Sequence, residues 1–151
     1  RSPIWRGGGV THGPRSEKVY ARAIPKKMRA KALFMALTQK LKDNEVIFVD
    51  SFGIKTPKTA EARKTILALS RISGFEKLGS KKRNAALVAF PEASEVSQKS
   101  FRNIGNITCT DVRNLNPVSV LGNSYLIIEN PQSGVAILEN RAKPKKLTTN
   151  N

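Results

Sequence analysis

From residue 25 onward the apolar residues of this chain fall into two rhythms; before residue 25 they follow neither. The first rhythm is helical. Between Pro25 and Asp43, Met28, Ala32, Met35, Ala36 and Leu41 lie near one face, and Leu33, Phe34 and Leu37 widen it. Lys26, Lys27, Arg29, Lys31, Lys40 and Lys42 take the opposite side. Pro25 suits the first position of such a helix, because its φ is preset and its missing N–H would be unpaired there anyway. The helix should close near Asp43-Asn44. Thr56-Pro57 can open a second helix, the hydroxyl capping it, which runs to about Ser73 with Ala62, Ile66, Leu69 and Ile72 inward. Ser94 to Asn103 gives a short helix with Val96 and Phe101 inward. Pro117 starts a single turn, Val118 to Leu121. Pro131 to Asn140 makes a closing helix whose apolar residues are Val135, Ile137 and Leu138.

The second rhythm is that of strands. Glu45 to Ser51 contains the unbroken apolar run Val46 to Val49, and Ala85 to Phe90 is apolar throughout. Such runs suit strands covered on both faces, and the two read as central neighbours in a parallel sheet. Asn106 to Val112 alternates apolar and polar, the mark of a half-buried strand near a sheet edge. Tyr125 to Ile128 is a last strand. Strands alternating with helices predict an α/β fold: a mainly parallel sheet with helices on both faces. Gly74 to Asn84 reads as a basic, Gly/Ser-punctuated link, longer than a typical helix-to-strand connection.

At 151 residues one domain with a real core is expected. The expected division is an extended basic segment over 1–24, a globular α/β domain over 25–140 and a loose basic tail over 141–151. The longest apolar runs fall far short of the ~20 residues of a membrane span, and no signal-peptide pattern is present. Cys109 is the one cysteine, so neither an internal disulfide nor a cysteine-only zinc site can form; its setting predicts a buried small apolar group.

Charge then changes the picture. The formal net charge is +16, and residues 1–31 hold nine of the Lys and Arg residues against one acid, Glu17. So lopsided a field points to a nucleic acid. The opening, RSPIWRGGGVTHGPR, concentrates the signal. Arg1, Arg6 and Arg15 carry planar forks that suit phosphate. Gly7, Gly8 and Gly9 remove side chains where another backbone must come close. Trp5 can stack on a base, or anchor locally with Pro3 and Ile4. His12, the sole histidine, has no acid beside it and suits a hydrogen bond to RNA or a turn. Ser2 and Thr11 add hydroxyls; Lys18 and Arg22 extend the charge. Lys26, Lys27, Arg29 and Lys31 oppose the helix dipole at its positive end, which makes sense with phosphates near. The Lys81-Lys82-Arg83 run and the tail lysines are weaker signals, for RNA contact or plain exposure.

An enzyme would need more than this. The glycine run does not follow a strand or open a helix, so it is not a dinucleotide fingerprint, and no phosphate-loop motif occurs. Asp50 and Asp111 stand late in strands, where α/β enzymes place chemistry, but no nucleophile–base pair accompanies them. No catalytic residue, metal ligand, cofactor or small-molecule substrate is expected. The alternatives are an α/β nucleotide-dependent or RNA-modifying enzyme and a free regulatory RNA-binding protein.

RSPIWRGGGVTHGPR, with KKMR after ten residues, resembles the bacterial-type large-subunit ribosomal protein L-four family very closely. EVIFVDSF, TPKT and DVRNLNPVSVL agree with it, and the likeness covers about residues 1–140. The resemblance implies a structural constituent of the large ribosomal subunit, with large-subunit rRNA and neighbouring ribosomal proteins as partners. It places the chain in a cytoplasmic ribosome, or alternatively an organellar one. It implies a long loop directed toward the peptide exit tunnel, with residues 1–15 as its returning limb. It further implies a first strand, a first helix and the outgoing limb ahead of Arg1, and a shorter link than Gly74–Asn84.

Overall fold

Pro25 is extended, with φ −55° and ψ 141°, and the first helix begins one residue later. In the computed structural model, which describes residues 1–92 and 94–142, six α-helices and four strands follow, with at least one helix between each strand and the next. They are α1 (Lys26–Lys42), β1 (Val46–Val49), α2 (Thr59–Leu69), α3 (Lys77–Ser80), β2 (Ala86–Phe90), α4 (Glu95–Phe101), β3 (Ile107–Asp111), α5 (Pro117–Gly122), β4 (Tyr125–Glu129) and α6 (Pro131–Ala142). The four strands form one sheet in the order β1-β4-β2-β3, with every pairing parallel.

Side chains alternate across a strand, and two cores result. Ala86, Val88 and Phe90 of β2 join Tyr125 and Ile127 of β4 beneath α2, α3 and α4, with Ala62, Ile66, Leu78 and Phe101 supplying the cover. Leu87 and Ala89 join Leu126 and Ile128 on the other face, against Leu33, Ala36 and Leu37 of α1, Val120 of α5 and Leu138 of α6. Both faces are therefore covered by helices, and α1 and α2 lie on opposite sides as their apolar faces require.

Several details differ from the sequence pattern. β1 is not central. β4 lies between it and β2, and Phe48 of the edge strand is 47% exposed while Ile47 is buried. The position next to β2 goes to the strand whose whole run, Tyr125 to Ile128, is buried. On α1 the buried stripe is Leu33, Ala36, Leu37 and Lys40, whereas Met28, Met35 and Leu41 are more than half exposed. The apolar band is wider than the stripe a sheet can cover, so only one phase of it is buried. On α6 the inward residues are Gly134 and Leu138, and Val135 is exposed. A Cβ added at Gly134 would stand 3.0 Å from Ile128 Cγ2, so the missing side chain lets the helix lie close to β4.

α2 begins two residues after Pro57, behind an extended Lys58 with no side-chain cap, and ends at Leu69. Turn bonds then carry the chain past an exposed Ile72 to Gly74, which turns with φ +92°. The link beyond is not structureless. It holds α3, one turn whose Leu78 is fully buried. α5 is started by Asn116 as well as Pro117, because the Asn116 side chain accepts from the Ser119 N–H and Ser119 Oγ accepts from the Asn116 N–H, a reciprocal cap. The tail lies outside the described residues from 143 on.

Candidate nucleic-acid interface

All strands run the same way, so the sheet has an N-terminal and a C-terminal edge. α1 ends at Lys42, just before β1 starts, so its C-terminus sits at the N-terminal edge. There Lys40 is buried and meets three acceptors, Glu45 Oε2 at 2.5 Å, the Asn123 carbonyl at 2.8 Å and the Ser124 carbonyl at 2.7 Å. This ammonium fastens α1 to the starts of β1 and β4, on a helix side that its polarity alone would leave wet. The N-terminus of α1, and with it the arm of residues 1–24, is at the C-terminal edge.

The arm has no helix or strand, and apart from the half-buried Gly8 and Gly13 all its residues are exposed. Its first nine residues nonetheless turn on themselves. The Trp5 N–H donates to the Ser2 carbonyl at 3.0 Å, the Gly8 N–H to the Trp5 carbonyl at 2.8 Å and the Gly9 N–H to the Arg1 carbonyl at 3.4 Å. Gly7 has φ +74°, and a Cβ on Gly8 would stand 2.0 Å from the Ser2 oxygen. Both glycines are thus required by the arm's own double turn, independently of any ligand. A Cβ on Gly9 would meet nothing, so Gly9 is free to approach another backbone. His12 takes φ 52°, a turn conformation.

Of the anticipated site residues, Arg1, Ser2, Trp5, Arg6, Gly7, Gly8 and Gly9 share the double turn. Thr11, His12, Arg15 and Arg22 follow, all exposed. The Lys18 ammonium lies 5.2 Å from the centre of the Tyr20 ring, which keeps it on the surface. Lys26, Lys27, Arg29 and Lys31 are exposed on the first turns of α1, which contain no acid. Among the described residues the ion pairs are Lys40–Glu45, Lys58–Glu61 and Lys99–Glu95. The last of these holds the Glu95 carboxyl below its ordinary pKa, through a hydrogen bond from Lys99. None of the three involves residues 1–31, so the cations there make no ion pair among the described residues.

Two residues absent from the sequence reading join them. Arg29 faces a groove of about 570 Å³ that Arg113 and Arg141 also line. Arg141 is aimed by donating Nη1–H to the Leu115 carbonyl at 2.9 Å. Nothing in the pattern marked them, because they come together only when β3 and α6 end at the edge where α1 begins.

The crevice where α/β enzymes usually hold ligands is different. Asp50, Glu92 and Glu129 line it at the C-terminal ends of β1, β2 and β4. Three carboxylates repel phosphate, and among the described residues no cluster of His, Cys, Asp and Glu could hold a metal ion. Cys109 is half-buried and free, and burial pushes its thiol up to about 11, which leaves little thiolate near neutral pH. No helix among the described residues is long and apolar enough to cross a membrane.

The fold and site thus define a three-layer α/β domain with an exposed cationic arm in which Glu17 is the one acid. Comparison with known proteins narrows the class. Residues 1–141 match the model of the ribosomal protein L4/L1 family. The chain is 37% identical over 139 residues to the large ribosomal subunit protein uL4 of Symbiobacterium thermophilum, covering 92% of this chain and 60% of that one. To the same-named protein of Aquifex aeolicus it is 38% identical over 127 residues, 83% of this chain and 58% of that one. To that of Bartonella henselae it is 35% identical over 143 residues, 95% and 63%. The chain belongs to the ribosomal protein L4/L1 family, and it spans about 60% of the length of these relatives.

Proposed function

We propose that the protein is a structural constituent of the large ribosomal subunit and that its arm and the start of α1 bind large-subunit rRNA. The residues that carry this are Arg1, Arg6, Arg15, Lys18, Arg22, Lys26, Lys27, Arg29 and Lys31, with Ser2, Trp5, Gly7–Gly9, Thr11 and His12 fitting the backbone and bases between them. The observation that carries the reading is that these nine cations are exposed and have no ion-pair partner among the described residues. The family supports it, since the relatives bear the name of a large-subunit protein.

The mechanism is electrostatic. Each phosphate neutralised releases condensed counterions, and log affinity falls by roughly 0.7–0.9 per contact for each tenfold rise in salt. Residues 1–24 act as an arm on a self-contained domain from residue 25, reaching along RNA toward the exit tunnel, with neighbouring large-subunit proteins as further partners. The ribosome is a cytoplasmic one of bacterial type. The protein performs no catalysis, and the carboxylate-lined crevice speaks against a nucleotide-dependent reaction there.

The test is the salt dependence of binding to large-subunit rRNA. Replacing Arg1, Arg6 and Arg15 together with Ala should flatten the slope by about two. It should leave the unfolding midpoint unchanged within the ~0.5 kcal/mol of surface substitutions. An unchanged slope with a fall in the midpoint would make the segment structural and refute the reading.

A further inference from the structure

Large apolar side chains stand exposed where α1 begins. Ile24 is 60% exposed and Met28 62%. Both line the groove of about 570 Å³ that Arg29, Arg113 and Arg141 border. Its apolar residues are Ile24, Met28, Ala32, Leu33, Leu115 and Pro117, and the remainder, besides the arginines, are Asn114 and Asn116. No acid and no aromatic side chain lines it. Arg29, Arg113 and Arg141 make no ion pair among the described residues.

The fold holds this groove in shape. Leu33 and Leu115 form its floor, and both are fully buried. α1 packs against α5 and α6, and α6 packs against the tight turn Val112–Asn114. The bond from Arg141 Nη1–H to the Leu115 carbonyl ties the end of α6 to that turn, and the reciprocal cap of Asn116 and Ser119 fixes the start of α5. A second hollow of about 390 Å³ adjoins the groove, because Arg113 and Arg141 line both. Its other residues are Pro91, Ile137 and Asn140, again without an acid. Two apolar hollows therefore flank one pair of guanidinium groups.

We infer that this surface docks an extended segment of another protein, one that carries acids between two aliphatic residues. The aliphatic side chains enter the two hollows, and a carboxylate accepts from the guanidinium groups of Arg113 and Arg141. Charge complementarity selects the acid, since arginine forks match carboxylate oxygens and no acid of the groove competes for them. The apolar lining selects a protein over a nucleic acid. A base finds no aromatic ring to stack on there, and a phosphate backbone has no aliphatic group to cover Ile24 and Met28. The Met28 thioether adapts to an aliphatic neighbour. A second copy in a two-fold contact would set the same arginines against each other. Lys26, Lys27 and Lys31 do not line the groove, so the arm and the outer side of α1 can hold RNA while the groove holds the segment; Arg29 stands where the two meet. The inference goes beyond the RNA-binding reading and stands without it.

The test is fluorescence polarisation of two labelled peptides titrated with the full chain. One has the core Leu-Ser-Asp-Glu-Ser-Leu; in the other serine replaces both leucines, so the charge is the same and the cationic arm attracts both alike. The leucine peptide should bind about tenfold more tightly. Met28→Ser should remove most of that difference, with the unfolding midpoint unchanged. Arg113→Gln with Arg141→Gln should weaken the leucine peptide by about tenfold. Equal affinity for the two peptides, or an undiminished difference in Met28→Ser, would overturn the inference. So would a short RNA duplex that displaces the leucine peptide from the chain with Arg1, Arg6 and Arg15 replaced by Ala, since the groove would then belong to RNA. A dimer in sedimentation that Met28→Ser dissolves would give the groove to a second copy and overturn it as well.

Discussion

Two residues carry more of this structure than their types suggest. Gly8 sits where a methyl group would collide with the Ser2 carbonyl, and Gly9, one step on, sits in open space. Gly8→Ala should therefore open the double turn, shift the amide resonances of Trp5 and Gly9 and weaken RNA binding, with no change in the unfolding midpoint. Gly9→Ala should leave those resonances in place. Equal spectra for the two variants would show that the turn does not form. Lys40 is the second case. Its ammonium satisfies a carboxylate and two carbonyls in a place with little water. Lys40→Met leaves them without a donor and should cost about 2–4 kcal/mol in denaturant unfolding. Lys42→Met, on an exposed residue of the same turn, should stay within ~0.5 kcal/mol. Similar losses for both would mean that the buried contacts contribute nothing.

At the scale of elements, β1 offers the sharpest contrast. Ile47 packs into the core beneath α2, whereas its neighbour Phe48 looks outward from the edge strand. Ile47→Asp should bury an unpaired charge and cost several kcal/mol of a typical total of ~5–15, enough to prevent folding. Phe48→Asp should fold, with a loss of about 1 kcal/mol or less, judged by circular dichroism and the thermal midpoint. If Phe48→Asp also fails to fold, β1 is not an edge strand. The sequence pattern treated these two residues alike, because an unbroken apolar run reveals burial but not lateral position in the sheet. β2 and β4 were legible for the same reason that β1 was misplaced: runs such as AALVAF and YLII demand cover, and order among them is set by pairing. Lys40 was legible in principle, since it is in phase with Leu33 and Leu37 at helical spacing, but its charge assigned it to the wet side. α3 left almost no trace, as one Leu in a basic stretch sets no period. The place of helix α4 and of the edge strand β3 was read correctly, because Ser94 caps the one and the alternation of Ile107 to Val112 marks the other, but on α4 Ser97 and Ser100 are buried with Phe101 while Val96 is only half-buried.

For the whole molecule, the arm was the legible part of the candidate site, since charge and glycine need no fold to be noticed. What remained hidden was assembled by the fold: Arg113 and Arg141 beside Arg29, and Arg63 beside the turn at 81–83. Such clusters join residues from different elements, and no spacing along the chain encodes them. The result is an α/β domain with two cationic blocks, one in the arm and the start of α1, the other around α2 and α3 on the opposite face of the sheet. Membership of the large subunit is the claim on which the rest depends, and sedimentation tests it most directly. Tagged chain expressed in bacterial cells should travel with the large subunit through a high-salt sucrose gradient, and the variant lacking Arg1, Arg6 and Arg15 should shift toward the top of the same gradient. Wild-type chain found only at the top, at low salt as well as high, would contradict the account.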